Sequence, residues 1–454
     1  MINIPLISNW LNEQAELNSN LIAVQTDEIE LTFRQLQEIV NSRTHEIINN
    51  RFDKNKIIGV VANHSLQFII DLFAIWNVGA SVFPINITLS QNEINEQLNF
   101  IGCRVLDDPI RKAEESDKNS AWKKYTSGSN ALLMFTSGST GQFKVVQHTF
   151  QSLFSSANSI DKEINFSPNE KWLASLPFYR IGGFQIIMRA MLSGGTICIP
   201  KQVKTEEINL GISKYKPQYI SLVNASIPSL LENEEAKSAK AIFLGGGPVD
   251  SKILETGLEK SLPLYKVYGS TETGSMITIL NLKKHKNKID SAGQVVPGVN
   301  IKIEDDEVLV KSESLFNEYY RNHELTIQRL TGDWYYTGDS GYLDKEGFLY
   351  IKGRIDNLIV SGGEKIDPAE IEMTLIGLES IKSAKVFGIP DDKWGEKVCA
   401  AILATDELDF DKLKKILKKY LSAYKIPKEI KKVDHFPVDE MGKLDLKKLR
   451  KLFE

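Results

Sequence analysis

At 454 residues the chain is too long for one hydrophobic core, so two or more domains are expected. With 42% hydrophobic and 25% charged residues it is composed like a globular protein, and a formal net charge of -4 points to no nucleic-acid partner. Three distant cysteines (Cys103, Cys198, Cys399) and six scattered histidines exclude a disulfide framework and a Cys/His zinc site, and fit a reducing, cytoplasmic setting.

The start of the chain, MINIPLISNWLNEQAEL, lacks the basic-then-apolar pattern of a secretory leader. The most apolar stretch, FIIDLFAIWNVGASVFPI at 68–85, is broken by Asp71, Asn77, Gly79 and Pro84. A membrane helix needs about 20 nearly unbroken apolar residues, so no membrane span is expected. The stretch reads as a buried helix stopped at Gly79, then a strand at 81–85. Other strands read at 57–62, 131–135, 171–177, 195–200, 219–223 and 240–246, with helix-length stretches such as 65–78 and 184–193 between them. This alternation predicts an α/β fold of mixed sheets flanked by helices.

Residues 301–360 crowd short strands (VNIKIED, EVLVKS, WYYTGDSGYLD, FLYIKGR) and predict a β-barrel-like part. After 365 come a helix (PAEIEMTLIGL), two strands (IKSAKVFGIP, VCAAILA) and a second helix, FDKLKKILKKYLSAY. In that helix Phe410, Leu413, Leu417, Tyr420 and Leu421 share one face. A boundary near Gly353–Asp356 divides the chain into an N-terminal domain, 1–353, and a small α+β C-terminal domain, 354–454. Residues 411–454 carry 14 Lys/Arg against 7 Asp/Glu, a net charge of about +7. That basic face reads either as solvated or as a surface for phosphates.

Residues 123–144, KKYTSGSNALLMFTSGSTGQFK, contain Thr-Ser-Gly-Ser twice. The copy at 126–129 follows no strand, has no lysine soon after it, and reads as a turn. The copy at 136–139 follows the apolar ALLMF and runs on through Gly141 to Lys144. A loop leaving a strand end can aim backbone N–H groups at an anion, glycines let the main chain approach closely, and the lysine adds charge. The spacing is not that of a Walker A loop, and alone the stretch can also be read as a Ser/Gly turn.

Three further stretches accompany it: YGSTETG (268–274), YYTGDSGYLDKEGFLYIKGRIDNLIVSGGEKIDPAEIE (335–372) and MGKLDLKKL (441–449). In this order the set resembles the adenylate-forming superfamily of acyl-CoA synthetases and AMP-binding enzymes over essentially the whole chain. The resemblance implies activation of a small carboxylic acid by ATP and Mg²⁺, with transfer of the acyl group to CoA. It makes Thr136, Ser137, Gly138, Ser139, Thr140, Gly141 and Lys144 the pyrophosphate loop. Gly245, Gly246 and Gly247 would lie against adenine with Tyr268 and Gly269. Thr271 would bind the α-phosphate, Glu272 would hold Mg²⁺, Asp339 would bind the ribose and Arg354 the ribose and phosphate region. Asp356 would be the hinge. Lys443 would serve the α-phosphate and acyl oxygens in adenylation, and hinge rotation would replace it with the SGGEK loop (361–365) for thiol attack.

Several stretches, above all SLPFYRIGGFQIIMRAMLSGGTI (175–197), resemble the o-succinylbenzoate–CoA ligase branch of that family in menaquinone biosynthesis. They nominate Tyr179, Arg180, Gly183 and Ser221 for the acyl pocket. Arg180 stands where the family often has histidine; it or Arg189 can pair with a second substrate carboxylate, or Arg180 simply forms a structural salt bridge and Arg189 packs. Phe143 and Val145 flank Lys144 where the family usually has Pro and Gly. Other aryl or medium-chain acids, and a carrier-protein thiol in place of CoA, remain open, as does the oligomeric state, a homo-oligomer included.

Overall fold

A computed structural model of the chain describes residues 10–52, 56–106, 126–136, 144–223, 226–247, 249–355, 359–361, 364–404, 409–438 and 444–453. The chain divides into two compact units: Met1–Ile301 with Val310–Tyr335 and Asp344–Leu349, and Lys302–Leu309 with Tyr336–Leu343 and Tyr350–Glu454.

The first unit holds two large sheets. The nine-stranded one runs in the order Gln294–Val295, Ser275–Asn281, Leu264–Ser270, Ala241–Gly245, Tyr219–Val223, Lys171–Leu173, Thr196–Cys198, Ile22–Gln25, Glu30–Thr32. The strands from Leu264–Ser270 to Ile22–Gln25 are mutually parallel, and antiparallel partners close both edges. The six-stranded sheet runs Glu318–Tyr319, Lys144–Thr149, Asn130–Thr136, Ser81–Ile85, Ile57–Val61, Arg104–Leu106. Parallel strands covered on both faces need near-continuous apolar sequence, and Ile220, Ile242, Leu244 and Val82 are fully buried.

The apolar stretch at 68–85 falls as expected into the Leu66–Val78 helix and the Ser81–Ile85 strand. Ser65 caps the helix by accepting from the Phe68 N–H, and Gly79 ends it at φ +97°, a conformation that glycine adopts without steric cost. Every residue from Phe68 to Val78 is buried, and each large apolar side chain so buried contributes about 1.5–3 kcal/mol. Asp71 on this helix is met by the Arg43 Nε at 2.7 Å. No helix among the described residues is long and apolar enough to cross a membrane.

The β-rich stretch forms a five-stranded sheet, Val299–Glu304, Glu307–Ser312, Trp334–Leu343, Leu330–Thr331, with Leu349–Arg354 also on Trp334–Leu343. The second unit has its own five-stranded sheet, Glu364–Ile366, Ile359–Ser361, Gly395–Ala404, Ile381–Asp391, with Glu429–Lys432 on Gly395–Ala404. Its core joins Ile366, Ile371, Leu375, Ala400, Leu413, Leu417 and Leu421. The fold is thus mixed α/β with a β-rich part and a C-terminal α+β part.

Two boundaries differ most from expectation. The strand expected at 171–177 ends at Leu173. There the Ser175 hydroxyl donates to the Ser221 carbonyl at 2.6 Å in place of ladder bonding, and Pro177 has no N–H to offer. The last long helix stops at Leu417 rather than Tyr424. The Leu417 carbonyl accepts from both Tyr420 and Leu421, closing a turn that keeps Leu421 inside and leaves Tyr420 68% exposed.

Candidate active site

The two copies of Thr-Ser-Gly-Ser have different surroundings. At 126–129 the Ser129 N–H donates to the Thr126 carbonyl at 2.9 Å, an exposed turn leaning on the start of the Phe150–Ile164 helix. The second copy begins on a hairpin. Asn130–Thr136 pairs antiparallel with Lys144–Thr149, Thr136 lies opposite Lys144, and the Thr136 hydroxyl donates to the Lys144 carbonyl at 3.3 Å. The connecting residues, with Ser137, Gly138, Ser139, Thr140 and Gly141, lie outside the described residues. What the hairpin fixes is their two anchors.

Lys144 forms an ion pair with a buried carboxylate. Its Nζ lies 3.0 Å from Glu272 Oε1, and the Glu272 side chain is only 8% exposed. Burial alone would raise that carboxyl; the Lys144 charge and hydrogen bonds from Lys144 and Tyr319 overcome it and hold the group below the ordinary carboxylate range. Tyr319 donates its hydroxyl to the same Oε1 at 2.9 Å, and its ring centre is 4.5 Å from the Lys144 ammonium. Thr271, half-buried beside Glu272, is fixed through its carbonyl, which accepts from His148 Nε2 at 2.7 Å and from the Gly274 N–H at 3.1 Å. Burial pushes His148 down to about 4. The ring is therefore neutral, with its proton on Nε2 because a carbonyl can only accept, and Nδ1 faces the Ser152 hydroxyl at 2.9 Å. Among the described residues no cluster of three metal-binding side chains occurs. One buried carboxylate suits a magnesium ion that takes its other oxygens from phosphates and water.

The glycines mark the carboxyl ends of parallel strands, where open α/β sheets bind ligands. Gly245 ends Ala241–Gly245, and a Cβ there would meet Val267 Cγ2 at 2.9 Å. Gly246 and Gly247 follow at φ +85° and +159°, both exposed. On the adjacent strand Tyr268 pairs with Thr278 and is half-buried. The register slips between Tyr268 and Gly269, where a Cβ would lie 1.8 Å from the Ser275 carbonyl oxygen. This bulge requires glycine.

Tyr179, Arg180 and Gly183 lie at the start of the Ile181–Ser193 helix, and Ser221 lies on the Tyr219–Val223 strand, where its carbonyl accepts from the Ser175 hydroxyl. Gly183 is buried, and a Cβ there would meet the Pro177 and Leu176 carbonyl oxygens at 2.2 and 2.5 Å. Tyr179 is half-buried, with the Arg180 guanidinium 6.0 Å from its ring. Ser221 is buried and its Oγ has no partner among the described residues. Arg189 is 0% exposed, with Nη2 donating to Ser275 Oγ at 3.2 Å and Cζ 6.0 Å from the Trp172 ring. Its Nε and Nη1 have no partner among the described residues. Ser275 itself sits at φ +117°, strained for a residue with a side chain.

In the second unit Arg354 Nη1 lies 3.2 Å from Asp339 Oδ1 and also donates to the Thr337 carbonyl at 2.7 Å. The two residues nominated for the ribose are therefore neighbours. Asp356, Gly362, Gly363 and Lys443 lie outside the described residues.

Sequence reasoning missed four residues. His148 and Tyr319 hold Thr271 and Glu272, and Ser275 meets Arg189. His64 donates Nε2–H to the Ala174 carbonyl and stacks on Phe178 at 4.5 Å, supporting the 175–183 stretch. Each acts through a contact distant in sequence, so no local spacing could have found it.

Two family models match: the AMP-binding enzyme over residues 11–320 and the AMP-binding enzyme C-terminal domain over 370–443. The 2-succinylbenzoate–CoA ligase of Geobacillus sp. (strain WCH70) is 31% identical, covering 98% of this chain and 97% of its own length. That of Listeria monocytogenes serotype 4b (strain F2365) is 30% identical, covering 98% and 99%. The o-succinylbenzoate CoA synthetase from Bacillus subtilis in complex with the acyl-adenylate intermediate OSB-AMP superposes with a TM-score of 0.88 at 28% identity, over 97% of this chain and 98% of that one. The same enzyme in complex with ATP and magnesium ion also gives 0.88 at 28% identity, over 97% and 99%. With the paired Lys144 and Glu272, the glycine-marked strand ends and these matches, the chain belongs to the AMP-binding enzyme family.

Proposed function

We propose that this chain is an ATP-dependent acid–CoA ligase that works through an acyl-adenylate, and that its acid is 2-succinylbenzoate, as in menaquinone biosynthesis. The observation that carries the reaction class is the meeting of Lys144 with Glu272 at 3.0 Å, which joins the base of the phosphate loop to the carboxylate suited to Mg²⁺. The relatives named 2-succinylbenzoate–CoA ligase support the substrate.

An ionised carboxylate attacking a polyanion needs its repulsion offset and its approach aligned; it needs no general base. Bound Mg²⁺ would supply charge at the phosphate oxygens. Lys144 offers an ammonium at the loop's exit, and Glu272 a buried oxygen donor. Thr271 presents its hydroxyl from a main chain locked by His148. Gly245, Gly246 and Gly247 leave room for an adenine beside Tyr268. Asp339 and Arg354 are assigned to the ribose and phosphate region, and Lys443 to the α-phosphate.

The substrate is a diacid, and one carboxylate is spent in adenylation. The other needs a cation. Arg189 supports that assignment better than Arg180, being fully buried with Nε and Nη1 unused among the described residues. A buried guanidinium with spare donors suits a bidentate carboxylate.

The test is pyrophosphate release from ATP and Mg²⁺ with a panel of carboxylic acids, with and without CoA. Release with 2-succinylbenzoate and formation of its CoA thioester are expected. No release with any acid refutes the ligase reading. Release without a CoA thioester favours a carrier-protein thiol, and preference for another aryl or medium-chain acid corrects the substrate.

A further inference from the structure

Tyr319 touches both members of the Lys144–Glu272 pair. It is 1% exposed, its hydroxyl donates to Glu272 Oε1 at 2.9 Å, and its ring centre lies 4.5 Å from the Lys144 ammonium, which meets the same Oε1 at 3.0 Å. The residue is held from several sides. It pairs with Val146, two residues beyond Lys144 on the strand that leaves the phosphate loop. Its N–H donates to Thr326 Oγ1 at 2.9 Å, and its ring packs against Phe316 with centroids 4.6 Å apart.

A carboxylate that must receive a cation faces two difficulties when none is bound. It is a charge in a poorly solvated site, and it is free to rotate. Lys144 answers the first by lying on the carboxylate, and Tyr319 answers the second with a fixed neutral donor. The ring face beneath Lys144 also gives the ammonium an attractive surface that does not depend on the carboxylate.

We propose that Tyr319 is a positioning residue for the metal-binding carboxylate and that Lys144 stands in for the cation until nucleotide arrives. Tyr319 keeps Glu272 in place while Lys144 exchanges the carboxylate for phosphate oxygens across the Tyr319 ring. The inference rests on the ligase reading, through Glu272.

Mn²⁺ binding to the full chain, followed by electron paramagnetic resonance without acid or CoA, tests this apart from activity. Tyr319→Phe should weaken Mn²⁺·ATP binding roughly 10- to 100-fold, the usual effect of losing a partner that orients a metal ligand. Its binding of metal-free ATP, measured by calorimetry with chelator present, should stay at the wild-type level because the ring remains. Lys144→Met, at a side chain 25% exposed, should bind Mn²⁺ alone more tightly than wild type, with no resident cation to displace. Wild-type Mn²⁺·ATP affinity in Tyr319→Phe overturns the role of Tyr319, as does a parallel loss of metal-free ATP binding. Unchanged or weaker Mn²⁺ binding in Lys144→Met overturns the stand-in and decides the matter if Tyr319→Phe fails to fold. Wild-type protein that binds no Mn²⁺·ATP overturns the ligase reading itself.

Discussion

Replacing Arg189 by methionine is expected to make the free protein more stable and to make it a poorer catalyst for its diacid. The guanidinium is 0% exposed, has one hydrogen bond at 3.2 Å to Ser275, and meets no carboxylate among the described residues. Burial pushes its pKa from an ordinary 12.5 down to about 9. At 1.36 kcal/mol per unit, that difference corresponds to a desolvation cost of about 5 kcal/mol. Methionine fills comparable space without the charge. Replacing poorly compensated buried charge by apolar side chains stabilises by about 1–4 kcal/mol, so the unfolding midpoint should rise by a few degrees. With substrate bound the balance reverses, because removing one partner of a buried, hydrogen-bonded charge pair costs about 2–5 kcal/mol. The kcat/KM for 2-succinylbenzoate should therefore fall roughly 30-fold to several thousand-fold, while an analogue lacking the second carboxylate changes little. Thermal unfolding and pyrophosphate release with the paired acids measure both effects. A variant that is destabilised, or that loses activity equally toward both acids, refutes the assignment and returns Arg189 to a packing role.

Acidification should destabilise the protein through His64 and His148. Burial pushes both to about 4 against an ordinary 6.5. The unfolded chain then binds more protons between those values, so stability is full above pH 6.5 and falls toward pH 4, by up to about 3 kcal/mol for each residue. Urea unfolding across that range checks it, and His64→Phe should flatten the slope. Gly269→Ala forces a Cβ to within 1.8 Å of the Ser275 carbonyl unless the bulge opens. A loss of about 1–3 kcal/mol in stability is expected, together with weaker ATP binding by calorimetry; wild-type values for both would contradict the bulge argument. Lys443→Ala should lose adenylate formation yet still convert pre-made acyl-adenylate and CoA to thioester, and equal loss of both half-reactions contradicts the role assigned to that lysine.

Much of the α/β framework was legible because local chemistry agreed with it. Ser65 and Gly79 punctuate a run of apolar residues, and the structure starts and stops the helix there. The two Thr-Ser-Gly-Ser copies were separable by their neighbours, a strand and a lysine for one and neither for the other. The last long helix was misread at its end because the apolar spacing continues through Tyr420 and Leu421, while the chain turns back at Leu417 and serves only Leu421 to the core. The spacing shows which residues prefer burial; it does not show where the backbone changes direction.

The sequence by itself determined which residue types are available for the chemistry: a loop of hydroxyls and glycines ending in Lys144, a Thr271-Glu272 pair, glycines at the strand ends, and arginines in the stretch before 197. Only the tertiary structure decided their partners. Lys144 lies on Glu272, Tyr319 and His148 hold Glu272 and Thr271, and Arg189 is buried without a carboxylate among the described residues. The physical reason is that charge, size and flexibility are properties of a residue and can be read in place. Desolvation and pairing belong to neighbours that the fold brings together from distant parts of the chain.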